Sequence, residues 1–172
     1  MSWIQTYSGK KLFPLNPDEK DICIEDIAHA LAMQCRFTGH TKYHYSIAQH
    51  SVLVSLHCGP VDARFGLMHD GSEAYLCDIA SPIKHDPTFS KYCEIEKHLQ
   101  SIIYTKFGLI GNEPLGVKKA DLRMLATEAR DLIIPIKEKW NLVEPPFDFK
   151  IQKMYPEEAE KLFLNRFDEL FG

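Results

Sequence analysis

Residues 69–84 read HDGSEAYLCDIASPIK and bring one histidine, three carboxylates and one lysine into sixteen positions. His69 and Asp70 directly follow an apolar run at residues 65–68, so we expect both to enter a site from the end of a buried helix. Glu73 lies one helical turn beyond His69 and can project beside it. Imidazole and carboxylate groups together bind Zn²⁺, Mn²⁺, Co²⁺ or Fe²⁺ and leave coordination positions open for water. A His-Asp pair alone is common, and its charged neighbours make this stretch a candidate metal site.

Size and composition bound the class of protein. The chain has 172 residues, the size of one domain, and we expect a single domain over residues 1–172. Hydrophobic residues make up 45 % of the chain and charged residues 26 %, a composition typical of globular proteins. The net charge of −4 argues against double-stranded nucleic acid as the main ligand, although local basic residues can bind a small anion.

Cysteine usage and the N-terminus indicate a cellular compartment. The five cysteines are widely spaced without a Cys-x-x-Cys pair, which disfavours a disulfide framework and a cysteine zinc site. The N-terminus lacks a basic region followed by an apolar one, and no apolar run approaches the roughly eighteen residues of a membrane span. We therefore expect a cytoplasmic protein with reduced cysteines and no membrane partner.

The spacing of apolar residues predicts an all-α protein with a small N-terminal β-hairpin. Two short β-prone pieces flank Ser8-Gly9 within residues 3–15. Helical periodicity then gives six or so helices, which cover residues 24–35, 46 onward, 62 onward, 89–107, 116 onward and 156 onward.

Residues 36–45, RFTGHTKYHY, are basic and aromatic and lack a clean periodicity. The guanidinium of Arg36 and the ammonium of Lys42 can engage phosphate, and the ring of Phe37 can stack on a base. A solvated connection whose aromatic residues pack into the core explains the same composition equally well.

His50 falls on an apolar helix face. Ser46 and Gln49 form a capping box that opens a helix, on which His50 shares a face with Ile47 and Val54. A lone histidine in such a place is more often a satisfied core residue than a metal ligand.

Asp121 is the second polar residue on an apolar face, between Val117 and Met124. A carboxylate there is costly unless it is paired, protonated or bound to a metal. Arg123 and Arg130 could pair with it, so an ion pair and a metal site are both open at this point.

The combined pattern His…His-Asp…Asp resembles that of the HD-domain metal-dependent phosphohydrolases. The segments AQHS at 48–51, HDGSEA at 69–74, CDIASPIK at 77–84 and KAD at 119–121 are similar to the small bacterial and phage branch of this superfamily. That branch includes bacterial deoxyribonucleoside 5′-monophosphatases and phage deoxyadenosine-triphosphate triphosphohydrolases. The resemblance covers roughly residues 20–135 and implies an HD domain.

Carried over residue by residue, the resemblance implies a set of site residues. The implied metal ligands are His50, His69, Asp70 and Asp121. The implied acid/base and phosphate-side carboxylates are Glu73 and Asp78, and the implied phosphate binders are Arg36 and Lys84. The monophosphatases have Arg-Trp where this chain has Arg36-Phe37, and the spacing from there to the histidine is one residue shorter, so base specificity does not carry over.

The resemblance implies a homo-oligomeric enzyme with a small nucleotide substrate and a divalent Zn²⁺, Co²⁺ or Mn²⁺ ion, with Mg²⁺ as a second ion. Our first hypothesis is a dATP-type triphosphohydrolase, because the short chain and the basic residues 36–44 look more like the phage enzymes. In this reaction, water activated by the metal attacks the α-phosphorus and releases deoxynucleoside and triphosphate.

Other functions are compatible with the same residues. A 5′-deoxynucleotidase acting on monophosphates is the alternative phosphohydrolase, and it shares every metal ligand. A nucleotide-sensing module without catalysis is an alternative of another class, although it should have lost ligands or the acid Glu73. A helical domain whose polar residues only pair with one another is a further alternative.

Overall fold

The computed structural model describes residues 2–138 and 140–172, and it confirms the all-α class with a small hairpin. The described residues form two strands, β1 (Ile4–Gln5) and β2 (Lys11–Leu12), and eight α-helices. The helices are α1 (Ile24–Met33), α2 (Ile47–His57), α3 (Ala63–Met68), α4 (Glu73–Leu76), α5 (Ser81–Lys84), α6 (Ser90–Lys106), α7 (Leu115–Leu132) and α8 (Pro156–Phe171). Single 3-10 turns occur at Glu19–Asp21, Phe37–Gly39 and Pro87–Phe89.

The N-terminal hairpin is short and is attached to α1. Its strands are antiparallel, with Ile4 opposite Leu12. Between them, Ser8 donates its backbone N–H and its hydroxyl to the two carboxylate oxygens of the buried Asp26 on α1, at 2.6 and 2.9 Å. Because Leu12 is also fully buried, the hairpin is part of the domain core.

The main core lies where α1, α2 and α8 pack together, and its fully buried side chains include Ile27, Leu31 and Phe163. Helix α1 ends at Met33, two residues before the predicted end. The reason is that Gln34 has an extended backbone and Cys35 forms a β-bridge with Ser46.

Helix α2 is central, because it packs against α1, α3, α7 and α8. Its first turn is capped as predicted, with the Ser46 hydroxyl accepting the Gln49 N–H at 3.1 Å. A helix with neighbours on several sides buries its polar residues together with its apolar ones, and His50 is completely inaccessible. The sequence of α2 therefore places an imidazole inside the protein.

Helices α2 and α3 approach closely at Gly66. A Cβ atom at this position would lie 2.7 Å from the Cys58 Sγ and 3.0 Å from the Ser55 Cα, so only glycine fits without displacing its neighbours. Helix α3 ends at Met68, and the following residues His69 and Asp70 leave from its C-terminal end, as predicted.

The predicted count of six helices omitted α4 and α5, which are single turns within residues 69–84. The long helices agree with prediction: α6 ends just before Gly108 at φ +69°, and α7 buries Val117, Met124 and Leu132 on one face. All five cysteines are unpaired. Within residues 2–138 and 140–172, none of the helices is both long and apolar enough to cross a membrane.

Candidate metal centre

Three helices bring polar side chains together at one buried point. His50 comes from α2, His69 from the end of α3, and Asp121 from α7. The Nε2 atom of His50 lies 3.3 Å from the Nε2 atom of His69 and 3.4 Å from the Oδ1 atom of Asp121. Ligand atoms at about 2.1 Å from a tetrahedral metal are separated by about 3.4 Å. This cluster could therefore hold a metal ion.

Asp70 borders the cluster. Its Oδ2 atom lies 3.2 Å from His69 Nε2 and 3.6 Å from His50 Nε2, and it also accepts a 3.4 Å hydrogen bond from Arg36. The four ligands implied by the resemblance thus lie together, while the assignment of Asp70 as a ligand remains a prediction.

The hydrogen bonds on the far side of each imidazole fix where its proton sits. His50 Nδ1 lies 2.6 Å from a carboxylate oxygen of Glu128, and His69 Nδ1 lies 2.9 Å from the carbonyl oxygen of Gly66. Both partners accept hydrogen bonds, so Nδ1 of each neutral ring carries the proton and Nε2 presents a lone pair to the cluster. Lone pairs and a carboxylate oxygen then face one another at 3.3–3.4 Å, an arrangement that a cation would stabilise.

Glu128 is a site residue that the sequence reading missed. It is fully buried on α7, where it bonds His50 and accepts a 3.3 Å hydrogen bond from Arg36. It lies seven residues after Asp121, which is about two helical turns, so both carboxylates lie on one face. That spacing was the signal that could have identified it.

The charges in the cluster depend on one another. Burial alone would raise the pKa of Asp121, but the hydrogen bond and charge at His50, with the charges of His69 and Arg36, hold it well below its usual range. Burial and Arg36 oppose protonation of His50, yet Glu128 and Asp121 raise the pKa of His50 to about 9. The acidic residues therefore give this buried point a strong preference for a positive charge.

Arg36 lies between two of these carboxylates. One of its nitrogen atoms donates to Asp70 at 3.4 Å and another donates to Glu128 at 3.3 Å. Burial would lower the pKa of Arg36, but Glu128 and Asp70 outweigh burial and keep the guanidinium charged. Its predicted role as a phosphate binder is untested by these contacts, although its position next to Asp70 suits that role.

The loop after Arg36 has an uncommon backbone. Phe37 and Thr38 both have positive φ values, 56° and 53°, and Gly39 follows at 80°. Non-glycine residues in this region are rare and concentrate at functional sites. The Phe37 ring lies 5.6 Å from the Arg36 guanidinium and 6.0 Å from the Trp140 ring, so an aromatic surface stands beside the cluster.

Glu73 and Lys84 form a second polar group beside the cluster. The ammonium of Lys84 donates to Glu73 at 2.8 Å and to Glu96 at 2.7 Å. The other carboxylate oxygen of Glu73, Oε2, is buried and has no hydrogen-bond partner among the described residues. Burial, together with the charges of Asp70 and Asp78, raises the pKa of Glu73 against the opposing effect of Lys84.

A cavity of about 510 Å³ joins these groups. Its lining comprises His69, Asp70, Ser72, Glu73, Lys84, Glu96, Lys97, Gln100, Ser101, Tyr104, Gly111, Asn112 and Glu113. The cavity therefore exposes part of the candidate metal site to solutes and extends away from it along α6.

Two predicted site residues, Asp78 and Lys42, form no hydrogen bond or ion pair with the cluster among the described residues. Asp78 is half-buried after Cys77, and its carboxylate makes no hydrogen bond or ion pair among the described residues. Lys42 donates its ammonium to the carbonyl of Asp131 at 2.8 Å, at the C-terminal end of α7. That position is ten residues beyond Asp121, or about 15 Å along the helix axis.

The arginines considered as partners of Asp121 bond elsewhere, so that interpretation was wrong. Arg123 donates to the carbonyl of Pro145 at 3.2 Å, and Arg130 donates to Asp131 at 2.7 Å. At about 100° per residue, offsets of two and nine residues place both on the side of α7 opposite Asp121. Asp121 instead forms an ion pair with Lys118 at 3.3 Å, in addition to its contact with His50.

Comparison with known proteins identifies one relative that matches the whole chain and one that matches about two thirds of it. It is 39 % identical over 173 residues to the uncharacterized protein YfdR of Escherichia coli (strain K12), which covers 99 % of this chain and 96 % of that protein. It is 36 % identical over 129 residues to an uncharacterized protein of Rhodobacter capsulatus, covering 69 % of this chain and 65 % of that protein. No family model matches the sequence. Because the similarity to YfdR extends from end to end, the chain belongs to the same family as YfdR.

Proposed function

We propose that the chain is a metal-dependent phosphohydrolase of the HD superfamily that acts on deoxynucleotides. The observation that carries this proposal is the convergence of His50, His69 and Asp121 next to Asp70, at the edge of a cavity that also contains Glu73. When both imidazoles are neutral, their Nε2 lone pairs and the Asp121 oxygen that faces them are all acceptors, so this point of the cluster needs a cation or a proton.

The donor set favours a borderline first-row metal. Imidazole nitrogens suit Zn²⁺, Co²⁺ or Mn²⁺, whereas Mg²⁺ prefers oxygen ligands and would serve only as a second ion. Once bound, such an ion would supply an acidified water and neutralise charge on a phosphoryl group.

Glu73 is the residue best placed to move a proton. Lys84 donates to its Oε1 atom, while Oε2 is buried without a hydrogen-bond partner among the described residues, and burial raises the pKa of Glu73. A carboxylate with these properties can accept the proton of an attacking water at Oε2. Asp78 is proposed to orient the phosphate or to protonate the leaving oxygen, as predicted from the sequence.

The binding groups favour a deoxynucleoside 5′-monophosphate as substrate. Arg36 lies beside Asp70, and Phe37 next to it offers a ring for a base. Lys84 already neutralises Glu73 and Glu96, and Lys42 is used at the end of α7. Few cations are left for two further phosphate groups, so the monophosphatase reaction is better supported than our first hypothesis.

A dNTP triphosphohydrolase of the dATP type remains the second candidate. The cavity has a volume of about 510 Å³ and extends along α6 to Lys97, which is exposed and makes no ion pair among the described residues. This cation and a second ion could hold the outer phosphates of a triphosphate.

The proposal is tested by a substrate screen. Metal-free protein is supplied with Mn²⁺, Co²⁺, Zn²⁺ or Mg²⁺ and with each nucleoside mono-, di- and triphosphate, and the products are separated by chromatography. We expect orthophosphate and nucleoside from deoxynucleoside monophosphates, and no activity in excess chelator. Intact triphosphate as a product would favour the second candidate. Nucleotide binding without any hydrolysis would instead identify a sensing module.

A further inference from the structure

Two glutamine side chains from different parts of the fold form hydrogen bonds with the backbone of residues 68–78, here called the site stretch. Gln100 on α6 accepts the Ser72 N–H at 2.8 Å and donates to the Met68 carbonyl at 2.7 Å. These two peptide groups lie on either side of His69 and Asp70. A glutamine amide has one acceptor group and one donor group, and Gln100 uses both on this short segment.

Gln34 makes the same type of contact with the next segment. It follows α1, donates to the Glu73 carbonyl at 3.0 Å and accepts the Asp78 N–H at 3.3 Å. These peptide groups belong to the two predicted catalytic carboxylates. Gln100 thus links the backbone at residues 68 and 72, and Gln34 links it at residues 73 and 78.

The stretch needs such support because its own hydrogen bonds are all short-range. The backbone N–H groups of residues 71 and 73–77 donate only to carbonyls three or four residues earlier. Helix α3 ends at Met68, and α4 is a single turn of four residues ending at Leu76. One isolated helical turn is unstable, since its nucleation cost exceeds the gain from its few hydrogen bonds. The position of the side chains therefore depends on what holds the backbone from α1 and α6.

We propose that Gln34 and Gln100 are positioning residues with separate tasks. Gln100 holds His69 and Asp70 in the geometry that binds the metal. Gln34 holds Glu73 and Asp78 in position beside the metal site. The task of Gln34 rests on the proposed function, whereas the task of Gln100 requires only that the site binds a metal.

The test replaces each glutamine by methionine, which is similar in volume and cannot form these hydrogen bonds. Gln100→Met should raise the Kd for Co²⁺, measured by calorimetry without substrate, by about ten- to a hundredfold. Gln34→Met should leave this Kd within about twofold of wild type and lower kcat by about tenfold or more at unchanged KM.

Tyr43→Phe is the control, because its hydroxyl donates to the Ile151 carbonyl at 3.2 Å. The variant loses one side-chain hydrogen bond to the backbone, where each glutamine variant loses two. A shift in Co²⁺ Kd for Gln100→Met no larger than that of Tyr43→Phe would overturn its assigned role. Equal changes of metal affinity in both glutamine variants would overturn the division of tasks.

Asparagine variants cover the case in which a methionine variant does not fold. The shorter side chain keeps the amide and cannot span both peptide groups, so Gln100→Asn and Gln34→Asn should show the same two patterns. If wild-type protein hydrolyses no nucleotide, the proposed function and the task of Gln34 both fail. The Co²⁺ titration of the Gln100 variants still tests the task assigned to Gln100.

Discussion

Helix α7 carries two polar clusters that differ in the kind of partner they have. At its end, the Asp131 carboxylate accepts hydrogen bonds from Arg130, Lys150 and the Ile151 N–H at 2.7–3.1 Å. Earlier along the helix, Asp121 faces the Nε2 atom of His50, whose other nitrogen is bonded to Glu128. The first cluster pairs an acceptor with donors, whereas in the second the Nε2 lone pairs of the neutral imidazoles face each other and a carboxylate oxygen.

This difference distinguishes a purely structural cluster from one that could hold a metal ion. The donors around Asp131 satisfy it completely and tie α7 to residues 150–151, so nothing more is required there. The acceptors around His50 are satisfied only when a cation or a proton is present between them. The following predictions test this comparison, beginning with the largest expected effect.

Asp121→Asn should remove the metal and lower kcat/KM by about a thousandfold or more, because one charged ligand becomes a neutral amide. Metal content by elemental analysis and nucleotide hydrolysis check this result. Asp131→Asn is the matched control on the same helix and should retain both. Loss of metal and activity in the control alone would reverse the roles of the two clusters.

Glu73→Ala should lower kcat by about 10²- to 10⁴-fold while metal content stays near that of wild type, because it removes a proton acceptor and no ligand. Single-turnover hydrolysis together with elemental analysis distinguishes the two quantities. If the metal is lost along with the activity, Glu73 is a metal ligand and not only a proton acceptor.

Glu128→Gln should weaken metal binding by about ten- to a hundredfold, because His50 loses the carboxylate that fixes its proton on Nδ1. Calorimetric titration with Mn²⁺ or Co²⁺ measures the effect. An unchanged Kd together with a lowered melting temperature would show that Glu128 only neutralises Arg36.

The Asp131 cluster should make the stability of the fold depend on pH in the acid range. Arg130 is the main cause that holds the pKa of Asp131 below its usual range, with the Ile151 N–H and Lys150 adding to it despite partial burial. Such a carboxylate stabilises the fold above the unfolded-state pKa near 4, and the contribution is lost as the pH falls below that value. The melting temperatures of wild type and Asp131→Asn should therefore differ at pH 7 and converge in acid. A constant difference would contradict this assignment.

Lys42→Met should have the smallest effect, about 0.5–1.5 kcal/mol of stability from one lost hydrogen bond at the end of α7. Its contact with Asp131 predicts that KM for monophosphates and triphosphates stays the same. The sequence had suggested that Lys42 contacts a phosphate group. A rise in KM confined to triphosphates would support that interpretation.

The sequence revealed the parts of the site that interrupt an apolar pattern. His50 and Asp121 were found because each falls on a buried helix face, and His69 and Asp70 because they end an apolar run. The all-α fold followed from the same periodicity. Glu128 could have been found from its seven-residue spacing to Asp121.

Other features depend on tertiary contacts that no local pattern encodes. The contact between Lys42 and Asp131 joins residues 89 positions apart, so its direction could not be read from the loop sequence. The single turns α4 and α5 are too short for periodicity to be visible. The interpretation of Arg123 and Arg130 as partners of Asp121 was wrong for a simpler reason. Helical geometry alone places both arginines on the opposite side of α7.

Gly66 has a consequence for how the site can change through mutation. Its missing side chain allows α3 to lie against Ser55 of α2, and its carbonyl accepts a hydrogen bond from the Nδ1–H of His69. One residue without any functional group thus influences both the separation of two candidate ligands and the tautomer of one of them. Substitution to alanine would push the two helices apart and lengthen the distance between His50 and His69. Position 66 therefore constrains the site sterically, although its residue supplies no ligand atom.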